Sequence, residues 1–205
     1  MMIAGCSGFT PSVAPTSYTA VAERLKGEGS LVIFVDYLAA RGLGRCFEQG
    51  RYRVDLDDIA QDIVASAAYL RARPDVKSAD ITAIGWSYGG GGVLEALRAV
   101  SDTAPFRAGV AFYPVCEGVR PWKAPIPVVM LLGALDDVAP ARSCQSLVRK
   151  LPAASPVSVH IYDGARHGFD ASELVGVVRH PAGTMAYNEA AATAAWGEVR
   201  KLLGR

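Results

Sequence analysis

Five apolar runs recur along the chain, each closed by a polar or turn-forming residue. Leu31–Val35 ends at Asp36, Ile81–Ile84 at Gly85, Ala108–Tyr113 at Pro114, Pro127–Leu132 at Gly133 and Val157–Tyr162 at Asp163. Most are near-continuous rather than alternating, which is the pattern of strands covered on both faces. Met1–Ala4 is apolar enough for a further short strand and runs into Gly5-Cys6-Ser7-Gly8.

Helical periodicity fills the intervals. Asp55–Arg71 places Leu56, Ile59, Ile63, Ala67 and Leu70 on one stripe, at the three- and four-residue spacing of an amphipathic helix. Asp55, Asp57 and Asp58 lie in its first turn, where the helix dipole favours acids, and Arg71 and Arg73 close it before Pro74. Tyr18–Lys26, Val93–Val100, Ala141–Leu151 and Ala186–Leu203 read as the other helices. Strand and helix alternating through short links predict an α/β fold, a three-layer sandwich around a mostly parallel sheet. No repeat or linker divides the chain, so residues 1–205 are expected to form a single domain.

Composition narrows the function. Hydrophobic residues are 51% of the chain and charged residues 20%, which excludes a disordered chain. Lys+Arg 21 against Asp+Glu 20 leaves net +1, so neither nucleic acid nor an anionic membrane is expected as a partner. No apolar run approaches the roughly 20 residues of a membrane span. Met1–Ala4 carries no basic stretch or long apolar core of an export signal. Cys6, Cys46, Cys116 and Cys144 are widely spaced and form no CxxC pair. They read as free thiols of a cytoplasmic protein without a metal site.

Gly85-Trp86-Ser87-Tyr88-Gly89 fits G-x-S-x-G and lies between the strand Ile81–Ile84 and the helix that Val93 continues. A nucleophilic serine needs that context, because it must stand clear of the sheet on a strained turn flanked by small residues. A serine also needs a base, and the base an orienting acid. Of the three histidines, His160 lies inside a strand and His180 precedes a proline in a polar loop. His167 follows the last strand, at the sheet end where α/β sites form, and is the expected base. Asp136 and Asp137, after the penultimate strand, both suit the acid. Two backbone N–H groups should stabilise an oxyanion. That of Tyr88 follows the nucleophile, and Cys6 is the candidate for the other.

On these segments the chain resembles the dienelactone hydrolase family of α/β-hydrolases, in its serine-nucleophile branch. The matching stretches are Gly5–Gly8, Val35-Asp36, Asp75-Val76-Lys77, Ile84–Gly90, Ala111–Pro114, Leu132–Asp137 and Tyr162–Asp170. In that family the acid follows its glycine by three residues and precedes a proline by four, which selects Asp136 over Asp137. The resemblance implies hydrolysis of small esters or lactones, with no metal or organic cofactor; a monomer or homodimer is expected. Two departures stand out. Relatives carry His-Gly where this chain has Ala4-Gly5, so the resemblance implies a looser oxyanion loop. They also carry earlier strands, which implies about six strands here instead of eight.

Trp86, Tyr88, Tyr113, Trp122 and Phe169 are candidates for an aromatic substrate pocket, and Arg45, Arg51 and Arg166 for a carboxylate site; each reads equally as core or plain surface. The rival to an enzyme is a hydrolase-fold binding protein with little activity, and a serine peptidase is a third reading. Cys116 and Cys144 follow successive strands, as do Cys6 and Cys46, so each pair is sterically able to form a bridge. A bridge in either pair would argue for export.

Overall fold

The computed structural model describes residues 1–10, 16–76, 80–99, 106–123 and 126–205. Lys77 of the family-like stretch and Val100 of the expected third helix lie outside them. Strands β1 (Met2–Ile3), β4 (Ile81–Trp86), β5 (Phe106–Phe112), β6 (Val128–Gly133) and β7 (Val157–Tyr162) form a wholly parallel sheet in the order β1-β4-β5-β6-β7. Every residue of β4 and β6 is buried, in keeping with their unbroken apolar runs.

The sheet has five strands where about six were expected. Leu31–Val35 supplies only an isolated parallel bridge from Phe34 to Met2. The Met2 N–H donates to the Ile33 carbonyl and the Val35 N–H to the Met2 carbonyl, at 2.9 Å each. Since β1 is two residues long, it offers Leu31–Val35 no ladder beyond this.

Successive strand residues feed opposite faces, as the pleat dictates. Ala83, Ala111, Met130 and Leu132 pack with helices α2 (Leu56–Ala72), α3 (Ser87–Ala99) and α4 (Ala141–Val148). Ile84, Trp86, Val110, Phe112 and Leu131 pack with α1 (Tyr18–Gly27) and α5 (Glu189–Leu203). The result is the three-layer sandwich expected from alternation. Helix α5 starts later than the apolar pattern suggests because Asn188 caps it, accepting the Ala191 N–H at 3.0 Å.

Two short antiparallel hairpins were not evident in the periodicity. One pairs β2 (Phe47–Glu48) with β3 (Arg51–Tyr52), the other β8 (Val178–His180) with β9 (Gly183–Met185). Pairs of two or three residues are too short to show a period.

Candidate active site

The loops that leave the C-terminal ends of β1, β4, β5, β6 and β7 carry the chemistry. Ser87 directly follows β4 and opens α3 with φ +52°, a conformation costly for a residue with a Cβ. The glycines after it let the turn form. A Cβ on Gly89 would sit 2.1 Å from the Ala4 carbonyl oxygen, so α3 approaches β1 only because Gly89 has none.

His167 Nε2 is 2.9 Å from Ser87 Oγ, and its Nδ1 is 2.8 Å from Asp136 Oδ2. An ionised carboxylate only accepts, so Nδ1 carries the proton and Nε2 accepts from the serine hydroxyl. The other Asp136 oxygen accepts the N–H groups of Val138 at 2.9 Å and Ala139 at 2.8 Å, which fixes the carboxylate plane. His167 and Asp136 are both buried. The structure thus brings Ser87, His167 and Asp136 into one hydrogen-bonded chain. His160 instead lies on β7, 3.8 Å from Glu198, and His180 accepts the Ala182 N–H in the β8–β9 hairpin.

Asp137, the other acid of the pair, is not a plain solvated turn residue. Its Oδ1 accepts the Thr184 N–H at 2.7 Å, and both oxygens take the Thr184 hydroxyl at 3.0 Å. The Thr184 N–H is the main reason its carboxyl is held below the usual range. Arg166 donates to the same hydroxyl at 2.8 Å, and the Ala186 N–H donates to the His167 carbonyl at 3.2 Å. The β8–β9 hairpin is therefore fastened to both the acid loop and the histidine loop. Arg166 is engaged there rather than presented to a substrate carboxylate, whereas Arg45 and Arg51 are exposed.

The aromatic candidates are corrected by their burial. Trp86, Tyr113 and Phe169 are at most 2% exposed, and Trp122 is also buried. They fill the core and have no face left for a substrate. Tyr113 still touches the site, its ring 4.6 Å from that of His167. Its hydroxyl donates to Asp170 Oδ1 at 2.6 Å, and Trp86 Nε1 donates to Asp170 Oδ2 at 2.9 Å. Desolvation pushes the Asp170 carboxyl above its ordinary value. Asp170 was overlooked as a support of the site. Its signal was an acid placed directly after the apolar Phe169 in the histidine loop. The β2–β3 hairpin carries two exposed aromatic residues, Phe47 and Tyr52, 45% and 49% exposed. The Tyr52 ring stacks on Tyr88 at 4.4 Å.

The loop after β1, where Ala4 replaces the expected histidine, is tied down by two tyrosines. The Gly5 N–H donates to the Tyr18 hydroxyl at 3.0 Å, and the Tyr37 hydroxyl donates to the Gly5 carbonyl at 2.9 Å. A Cβ on Gly5 would lie 3.3 Å from Ser87 Cβ, so the loop rests against the nucleophile. Cys6 is disulfide-bonded to Cys46, and Cys116 to Cys144, which overturns the free-thiol reading. Among the described residues, the N–H groups of Cys6 and Tyr88 have no protein acceptor. Also among the described residues, no cluster of His, Cys, Asp or Glu is arranged to hold a metal ion, and no helix is long and apolar enough to cross a membrane.

Residues 16–205 match the model of the dienelactone hydrolase family. No curated protein matches the chain in sequence. Solved structures do match its fold. A Klebsiella pneumoniae protein assigned as a dienelactone hydrolase superposes with TM-score 0.77 at 19% identity, over 100% of this chain and 85% of its own. A dienelactone hydrolase-like promiscuous phosphotriesterase from metagenomic libraries gives 0.71 at 21% identity, over 99% and 84%. The dienelactone hydrolase of Anabaena variabilis gives 0.66 at 18% identity, over 99% and 84%.

Proposed function

The chain belongs to the dienelactone hydrolase family of hydrolases, and from that premise we propose that it cleaves small carboxylic esters or lactones through an acyl-enzyme on Ser87. The observation that carries this reading is the Ser87–His167–Asp136 chain, with 2.9 Å and 2.8 Å contacts. As Ser87 Oγ attacks the carbonyl carbon, His167 Nε2 takes its proton. Asp136 keeps Nδ1 protonated and stabilises the imidazolium that forms. Negative charge grows on the carbonyl oxygen, and the N–H groups of Tyr88 and Cys6, without an acceptor among the described residues, are the donors at hand for it. His167 returns the proton to the leaving alcohol. Water, deprotonated by the same nitrogen, then releases the acid and regenerates Ser87. Every step uses groups of this chain.

A small molecule is the partner proposed, and the tyrosine contacts that tether Gly5 support an enzyme over a binding protein. The two disulfides favour an oxidising compartment over the cytoplasm. Incubation with a fluorophosphonate and a panel of p-nitrophenyl esters and lactones tests the function. Stoichiometric labelling at Ser87 with ester turnover supports it. A folded protein that neither labels nor turns over any ester would be a binding protein instead.

A further inference from the structure

We propose that the Cys6–Cys46 disulfide positions the oxyanion site: it holds the Cys6 N–H at a fixed separation from the Tyr88 N–H, so that turnover depends on the bridge. The inference rests on the serine-hydrolase reading of Ser87 and deepens it.

The two donors sit on unequal supports. The Tyr88 N–H belongs to the first turn of α3 and is fixed by the helix. The Cys6 N–H belongs to a loop that has left β1, where no strand or helix sets its place. Part of that lack is made up by the peptide that joins Gly5 to Cys6. It is planar and trans, so its carbonyl and N–H point opposite ways. The Gly5 carbonyl is engaged by the Tyr37 hydroxyl at 2.9 Å and the Gly8 N–H at 3.0 Å. These bonds orient the Cys6 N–H, but they do not measure its distance from Tyr88.

The contact of Gly5 with Ser87 limits that distance from one side, and residues 46–54 hold it from the other. At one end Cys46 is covalently joined to Cys6, with their Cα atoms 4.8 Å apart, and its N–H donates to the Cys6 carbonyl at 2.8 Å. The Arg53 N–H donates to the Cys46 carbonyl at 2.8 Å, which closes the segment around the β2–β3 pair. At the other end the Tyr88 hydroxyl donates to the Val54 carbonyl at 2.7 Å, and the Tyr52 ring lies parallel to the Tyr88 ring, 4.4 Å away. The path Cys6–Cys46–hairpin–Tyr52/Val54–Tyr88 is thus a closed frame with one oxyanion donor at each end. The disulfide is its only covalent cross-link. Without it the Cys6 end is joined to the hairpin by one hydrogen bond beside solvent-exposed loops. Cys116–Cys144, which joins the loop after β5 to α4, takes no part in this frame.

Cys46 is therefore a positioning residue, and its effect should fall on the transition state rather than on ground-state binding. The test compares oxidised wild type with Cys6→Ala/Cys46→Ala, which keeps the Cys6 N–H but removes the bridge, and with Cys116→Ala/Cys144→Ala. The readouts are kcat and KM for an oxygen ester and for its thionoester analogue, whose developing charge rests on sulfur and gains less from N–H donors. The expected result is a fall in kcat of about 10- to 100-fold for Cys6→Ala/Cys46→Ala. KM should move by no more than about 2-fold, and the preference for oxygen ester over thionoester should narrow. Cys116→Ala/Cys144→Ala should stay within about 2-fold of wild type in kcat. Should the first variant fail to fold, dithiothreitol added to Cys116→Ala/Cys144→Ala below its melting temperature carries the same test. Each dithiothreitol gives two electrons and two protons to the remaining bridge and closes to its own cyclic disulfide. Loss of kcat that returns on reoxidation supports the proposal. An unchanged kcat and an unchanged oxygen/thiono preference after the bridge is cut would overturn it. Failure of oxidised wild type to turn over any ester, with Ser87 unlabelled, would sink the hydrolase reading itself, and this inference with it.

Discussion

A serine at φ +52° is kept there by its surroundings, and its hydroxyl bonds only to His167 among the described residues. Ser87→Ala should therefore remove activity and leave the fold intact. Turnover of an oxygen ester should drop by about 10⁴ to 10⁶, with an unchanged circular dichroism spectrum. Activity above a tenth of wild type would refute the nucleophile. His167→Ala should behave alike, whereas His160→Ala and His180→Ala, whose partners are Glu198 and the Ala182 N–H, should keep wild-type turnover. The two acids separate by the same assay. Asp136→Asn should cost about 10⁴ in kcat, because an amide facing Nδ1 permits the wrong tautomer. Asp137→Asn touches only the Thr184 contacts and should cost far less. Ser87 and His167 were legible in sequence because a motif and a sheet end single them out. Asp136 was separated from Asp137 only by family spacing. Tyr18 and Tyr37 were not legible, since their bonds to Gly5 join residues 13 and 32 positions apart with no pattern to announce them.

Among the elements, the β8–β9 hairpin has the clearest consequence. It has no core of its own, and Val178 is exposed at its edge. What fixes it to the site is polar: Thr184 to Asp137 and Arg166, and Ala186 to the His167 carbonyl. Thr184→Val keeps the shape and removes the hydroxyl. Amide exchange over residues 178–186 should quicken, and kcat/KM should fall several-fold as the histidine loop loosens; unchanged exchange would exclude this role for the hairpin. The attachment also has a pH sign. The Asp137 carboxyl is depressed below its ordinary 3.8 in the folded chain. Its contribution is therefore complete above that value and is lost as pH falls through the lower folded value. Protection of the hairpin amides, taken as exchange relative to the intrinsic rate at each pH, should fall in acid below the usual carboxylate range, and Asp137→Asn should abolish that fall. Such an element escapes periodicity because three-residue strands held by side-chain hydrogen bonds leave no hydrophobic signature. The long helices and buried strands, whose stripes and runs face a core, were read within a few residues of their ends, except α3, which starts six residues before Val93 because its first turns are glycines with no apolar stripe.

At the scale of the molecule, the parallel sheet and its two packed faces followed from the alternation of apolar runs and stripes, whereas the strand order came only with the structure. The count of strands did not, because Leu31–Val35 has the composition of a strand but meets a two-residue neighbour. Composition also misread the cysteines. Sparse, unpatterned thiols look free, yet the fold brings the loop after β1 beside Cys46, ahead of β2, and the loop after β5 beside α4, where both pairs join. Each bridge then ties together segments at the sheet end that holds Ser87, and each constrains the unfolded chain. For the Cys116–Cys144 loop, with a separation of 28 residues, the chain-entropy argument gives about 3–4 kcal/mol. In a domain of this size that corresponds to a melting temperature lower by about 10 °C. Cys116→Ala/Cys144→Ala should show that loss by differential scanning fluorimetry while turning over ester at the wild-type rate below its melting point. Dithiothreitol should lower the wild-type melting temperature further than this variant's, since it opens both bridges. Mass spectrometry after alkylation without reductant gives the independent check. No alkylated cysteine is expected, and four would show that neither bridge forms and that the stability of the fold owes nothing to them.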